Sequence, residues 1–130
     1  MTLSDDRPGR VLVIGAGGSL GSSLTTALRA SDRWTAVSAD RSIDVSVASD
    51  VDDLLEAVRP DAIVNLAGMT GARCTAEPER AWAVNVGGAR NVARSAERLG
   101  IARIVFPSTS GVYGDRYEGH SVRAGGAWRF

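Results

Sequence analysis

The chain has no lysine: all fifteen of its basic residues are arginine, set against fifteen acidic ones. Its formal charge is zero, and the charges are spread along the sequence rather than gathered in blocks. That excludes the basic excess that draws nucleic acid. It also excludes a Walker-type phosphate loop, which needs its lysine. Cysteine is nearly absent, and Cys74 alone allows neither an internal disulfide nor a cysteine-based metal site. No apolar run approaches the roughly 18 residues of a membrane span. The opening MTLSDDRPGR is polar and acidic, unlike a signal peptide. A cytoplasmic protein is expected, with neither nucleic-acid nor membrane partners.

What is present suits one soluble domain. The 130 residues are 44% hydrophobic, enough for one core and too few for two. Residues 1–9 read as a flexible arm ending in Pro8-Gly9. RVLVIG, WTAVSAD, DAIVNLAG and ARIVFPS read as four strands. Between the first two, Leu20, Leu24, Ala27 and Leu28 mark one face of a helix. Ser49 with Asp52 resembles a capping box for a second helix, closed by Pro60. Pro78 to Leu99 reads as one long helix, its apolar face carrying Trp82, Val86, Ala89, Val92, Ala93 and Ala96. Gly100 is its stop signal.

Strand and helix alternate, and the strands are continuous apolar runs. Both features predict an α/β fold, a parallel sheet with helices on both faces. Rossmann-type winding predicts the strand order 3-2-1-4. The domain is expected over residues 10–114, with an irregular tail at 115–130.

GAGGSLG falls between the first strand and the first helix. It fits G-x-x-G-x-x-G on Gly15, Gly18 and Gly21. Gly15 lets the chain turn off the strand, Gly18 lets a pyrophosphate approach the backbone, and Gly21 lets helix and strand pack closely. The helix start at Ser19, Leu20 and Gly21 offers free N–H groups and a positive dipole end. Asp40 stands nineteen residues past Gly21, where a carboxylate would bind the adenosine ribose hydroxyls. The expected cofactor is a dinucleotide. Asp40 favours NAD, whereas Arg41 could pair with the 2′-phosphate of NADP, so NAD is preferred and NADP stays open.

GAGGSLG, the segment Ile43-Asp44-Val45, NLAG at 65–68, NVGGARN at 85–91 and STSGVYG at 108–114 stand in order along the chain. Together they resemble the NAD-dependent epimerase/dehydratase family of extended short-chain dehydrogenases/reductases. The segment at 68–85 is similar to the dTDP-4-dehydrorhamnose reductase branch. The resemblance implies that Asp44 and Val45 contact the adenine, Asp44 through its exocyclic amine. It implies that Leu66, Ala67 and Gly68 run beside the cofactor, and that Asn85 reaches toward the substrate loop or braces the site. Ser108 would help position the nicotinamide. Thr109 matches the hydroxyl that bonds the reacting oxygen of a nucleotide-sugar substrate.

The family moves a hydride with a Tyr-x-x-x-Lys pair, whose lysine helps stabilise the tyrosine phenolate. These residues contain no lysine, and Tyr113 is followed four residues later by Tyr117. The resemblance fades after Gly114. The expectation is therefore a truncated product: a cofactor-binding half that is inactive alone, or a non-catalytic binding module or remnant. An open sheet edge beside the fourth strand would invite self-association. His120 and Cys74 have no partner in the sequence that would make either catalytic.

Overall fold

The computed structural model describes residues 7–109. Four parallel strands alternate with helices. β1 is Gly9–Ile14, α1 Ser19–Arg29, β2 Trp34–Ala39, α2 Ala48–Val58 and β3 Ala62–Asn65. Two short helices follow, α3 (Ala72–Ala76) and α4 (Pro78–Trp82). A π-helical stretch, Ala83–Gly88, continues α4 into α5 (Ala89–Arg98), and β4 is Ile104–Val105. β1 thus begins one residue before the expected boundary at residue 10. The tail at 115–130 lies outside the described residues.

The fold class is as expected, but the strand order is not. The sheet runs β2-β1-β3-β4 rather than 3-2-1-4. Side-chain chemistry explains the difference. In β3, Ala62, Ile63 and Asn65 are buried, as befits a strand with neighbours on both sides. β2 carries Thr35 and Ser38 and buries only Ala39, which suits an edge. Placing β3 outside β2 would bury the polar strand and expose the apolar one.

Alternation along β1 builds two cores. Leu12 and Ile14 join Val51, Leu55, Ile63, Val92 and Ala96 beneath α2 and α5. Val11 and Val13 point the other way, with Ala62, and pack against Leu24 and Leu28 of α1. Asp61 pins the start of the sheet. Its carboxylate accepts the Arg10 N–H at 2.7 Å and both guanidinium nitrogens of Arg7 at 3.2 Å. The Arg10 amide, seconded by the Arg7 guanidinium, holds that carboxyl below the usual range.

Three local expectations are corrected. α2 begins at Ala48, with Val47 at the cap position and no side-chain cap, so Ser49 and Asp52 form no capping box. The turn into α2 is instead organised upstream, where the Asp44 carboxylate accepts the Ser46 N–H at 3.0 Å. The long helix is interrupted by the π-helical stretch, and Trp82 and Ala93 are exposed. Val92 and Ala96 are buried as expected, and Ala81, Val84, Gly88 and Ser95 complete the packed face. A Cβ on Gly88 would stand 2.6 Å from Val45, so the close approach of this helix depends on having none. Gly100 does end the helix as expected, at φ +70°. Its N–H bonds Glu97 at 3.1 Å and that of Ile101 bonds Ala96 at 2.9 Å, a Schellman closure.

Candidate functional site

Parallel register aligns the strand ends. Ile14 lies opposite both Ala39 and Asn65, so the loops that begin at Gly15, Asp40 and Leu66 leave one edge of the sheet together. The chain goes from β1 to β2 on one side and returns to β3 on the other. Reversal of this kind opens a crevice at the strand ends, where open α/β sheets bind ligands.

Gly15 turns off β1 at φ +82° and donates its N–H to Ala39 at 2.9 Å. A Cβ there would stand 2.9 Å from both the Ala67 nitrogen and the Leu66 carbonyl carbon. The loops after β1 and β3 therefore touch at the crevice, and only glycine permits it. Gly21 sits in the first turn of α1. A Cβ there would collide with the Gly15 carbonyl oxygen and lie 2.7 Å from Ala16 Cα. Gly18, by contrast, faces open space, with only the Gly15 oxygen 3.5 Å from a would-be Cβ.

Between those glycines lies an unanswered positive helix end. Gly18 is the cap residue of α1, with no side-chain cap and no acid in the first turn. The first helical bond runs from the Ser22 N–H to the Gly18 carbonyl at 2.9 Å. The N–H groups of Ser19, Leu20 and Gly21 thus precede the helical ladder. Ser19 is exposed, and Leu20, at 58% exposure, stands bare beside it. This is a cradle shaped for an anion.

Asp40 and Arg41 follow β2 and are both exposed. The Ser42 N–H, 3.0 Å from the Asp40 carboxylate, holds that carboxyl below its ordinary range. Asp44 lies farther along the same loop. Ser46 donates to it through N–H at 3.0 Å and Oγ at 2.6 Å, and Arg80 donates at 2.8 Å. The Ser46 hydroxyl first, then Arg80, depress its pKa. Val45 is buried, so its side chain belongs to the core and only its backbone can meet a ligand.

The loop after β3 is held by two asparagines. Asn65, buried at its start, accepts the Ala67 N–H at 3.2 Å. Asn85, on the π-helical stretch, accepts the Met69 N–H at 2.8 Å and donates to the Met69 carbonyl at 2.9 Å. Its amide thus holds the loop at Met69, just past Leu66 to Gly68. Gly68 leaves room for it, a Cβ there standing 3.3 Å from the Asn85 oxygen. Ser108 and Thr109 are exposed beyond β4.

Two residues of this frame escaped sequence reasoning. Asn91 donates to the Val45 carbonyl at 2.9 Å, fixing the loop after β2. Its place at the end of NVGGARN was the available signal. Arg80 lies within the segment at 68–85, which gave it no individual role. Two shallow hollows lie elsewhere, one by Pro60 and Gly100 and one between α2 and α5. Neither borders the phosphate loop.

The model of the NAD dependent epimerase/dehydratase family matches residues 11–125. The chain is 34% identical over 124 residues to a 3 beta-hydroxysteroid dehydrogenase/Delta 5→4-isomerase of Mycobacterium tuberculosis, over 80% of this chain and 32% of that protein. It is 33% identical over 106 residues to the dTDP-4-dehydrorhamnose reductase of Aggregatibacter actinomycetemcomitans, over 80% of this chain and 36% of that protein. The crystal structure of a dTDP-4-dehydrorhamnose reductase from Bacillus anthracis, in complex with NADP, superposes with a TM-score of 0.70. Its identity is 28%, covering 77% of this chain and 36% of that one. The chain therefore spans about a third of the length of the curated relatives it matches.

Proposed function

Because the chain belongs to the NAD dependent epimerase/dehydratase family, we propose that residues 9–109 form its dinucleotide-holding unit. The observation that carries this reading is the glycine cradle. Gly15 and Gly21 have no room for a side chain, Gly18 is open, and α1 has neither a side-chain cap nor an acid in its first turn. A pyrophosphate would supply a counter-charge. Asp40 would take the ribose hydroxyls and the Asp44 loop the adenine. Leu66 to Gly68 would run along the cofactor toward the nicotinamide. NAD suits Asp40 and NADP suits Arg41, and the cofactor is proposed as NAD with NADP tested beside it.

When bound, the nicotinamide would supply a hydride acceptor or donor. Thr109 would bond the substrate's reacting oxygen. The proton must be moved by another group, because no Tyr-x-x-x-Lys exists among these residues. The proposed substrate class is a nucleotide-activated sugar, in line with the two dTDP-4-dehydrorhamnose reductases. The similarity to a hydroxysteroid dehydrogenase favours a second reading, in which the oxidised group is a ring hydroxyl of a sterol.

Calorimetric titration of the chain with NAD+ and NADP+ tests the proposal, followed by an assay for hydride transfer. Binding without turnover is expected. Binding of neither dinucleotide by the folded chain would refute it.

A further inference from the structure

Arg80 lies in α4, outside every motif that points to the cofactor, yet its guanidinium reaches across to the loop after β2. One nitrogen donates to the Ser46 hydroxyl at 2.7 Å and another to Asp44 Oδ2 at 2.8 Å. The Ser46 hydroxyl in turn donates to Asp44 Oδ1 at 2.6 Å, and the Ser46 N–H reaches the same oxygen at 3.0 Å. A carboxylate offers about four acceptor sites. Among the described residues Oδ1 receives two donors and Oδ2 one. One acceptor site on Oδ2 is left, on a side chain that is 36% exposed.

This bridge is not what holds the loop in place. Val45, between the two acceptors, is buried against Gly88, and its carbonyl accepts from Asn91 at 2.9 Å. The backbone is anchored without Arg80. Ser46 already holds Oδ1, and what the guanidinium adds is a hold on Oδ2, the oxygen with an acceptor site left. A planar fork that meets two acceptors suits that task better than an ammonium.

We infer that Arg80 is a positioning residue for adenine recognition, holding the Asp44 carboxylate so that its remaining acceptor site receives the exocyclic amine of the cofactor. The inference rests on the proposed dinucleotide site. It also ties the two ends of the crevice together, since α4 leads directly into the stretch whose Asn85 braces the loop after β3.

The test compares NAD+ with nicotinamide hypoxanthine dinucleotide, in which a carbonyl oxygen replaces the amine. That analogue can no longer donate to Asp44 from the exocyclic position. The unmodified chain should bind NAD+ about tenfold more tightly than the analogue. Arg80→Ala should reduce that ratio by about threefold or more, chiefly through weaker NAD+ binding. Arg80→Lys, able to reach only one acceptor, should fall between. Ser46→Ala removes the hydroxyl that Arg80 and Asp44 share and should shift the ratio in the same direction, which guards against misfolding of either Arg80 variant. A ratio unchanged in Arg80→Ala and Ser46→Ala, with the unmodified chain discriminating, overturns the inference and leaves the site intact. Failure of the unmodified chain to bind either dinucleotide overturns both.

Discussion

Replacing Gly21 by alanine should damage both stability and the phosphate cradle. Within a helix alanine is ordinarily better than glycine by about 1 kcal/mol. Here that gain is outweighed. The new Cβ would stand 2.7 Å from Ala16 Cα and 2.8 Å from its carbonyl carbon, with the Gly15 oxygen nearer still. Carbon atoms rest comfortably at roughly 3.5–4.0 Å. All three contacts are backbone, so no rotamer relieves them and α1 must move away from the loop by about 1 Å. Overpacking costs about 1–3 kcal/mol, and rigid surroundings set the upper end. The net loss should be about 2 kcal/mol, a drop in Tm of roughly 6–12 °C. Affinity for NAD+ should fall by about tenfold or more, because the N–H groups of Ser19 and Leu20 move with the helix. Gly87→Ala is the control. It lies in the π-helical stretch with nothing within 4 Å of the new methyl, and it should melt no lower than the parent. Urea and thermal unfolding by circular dichroism, with calorimetry for the cofactor, read all of this. A Gly21→Ala protein as stable as the parent, with unchanged affinity, would refute the packing argument.

Asn85→Ala strips partners from both the N–H and the carbonyl of Met69 and should cost about 1–3 kcal/mol by urea denaturation. It should also speed hydrogen exchange at the Met69 amide. Asp44 and Asp61 have folded pKa values below their unfolded ones, so each contributes stability that is full above about pH 4 and drains as pH falls through the folded value. Asp61→Asn should therefore lower stability at neutral pH and flatten its decline between about pH 4 and pH 2, read by denaturation at stepped pH. Val105, 49% exposed on β4, should promote association of the isolated chain at that edge, and Val105→Lys should shift light scattering toward the monomer.

Much of this fold is visible in local chemistry. The apolar runs of β1 and β3, the glycine at each close approach and the αL stop at Gly100 all follow from residue type. The strand order could not be read from winding habit alone. It turns on which strand tolerates an edge, and the polar Thr35 and Ser38 against the apolar Ala62 and Ile63 decide that. The long helix misled because large side chains catch the eye. Its contact face combines Val84 and Val92 with small residues, since the helix must approach Val45 closely at Gly88, and Trp82 is left outside. Gly15 and Gly21 were legible because each has a backbone reason. Arg80 and Asn91 were not, because each acts across more than thirty residues on a loop whose position only the tertiary structure defines.

Amide resonances of the isotope-labelled chain, followed as NAD+ is added, ask where a dinucleotide lies. Shifts concentrated at Gly15 to Gly21, with smaller ones at Asp40, at Asp44 and Val45, and at Leu66 to Met69, are the expected result. A folded chain with no shifts there, or with shifts confined to the hollow between α2 and α5, would contradict it.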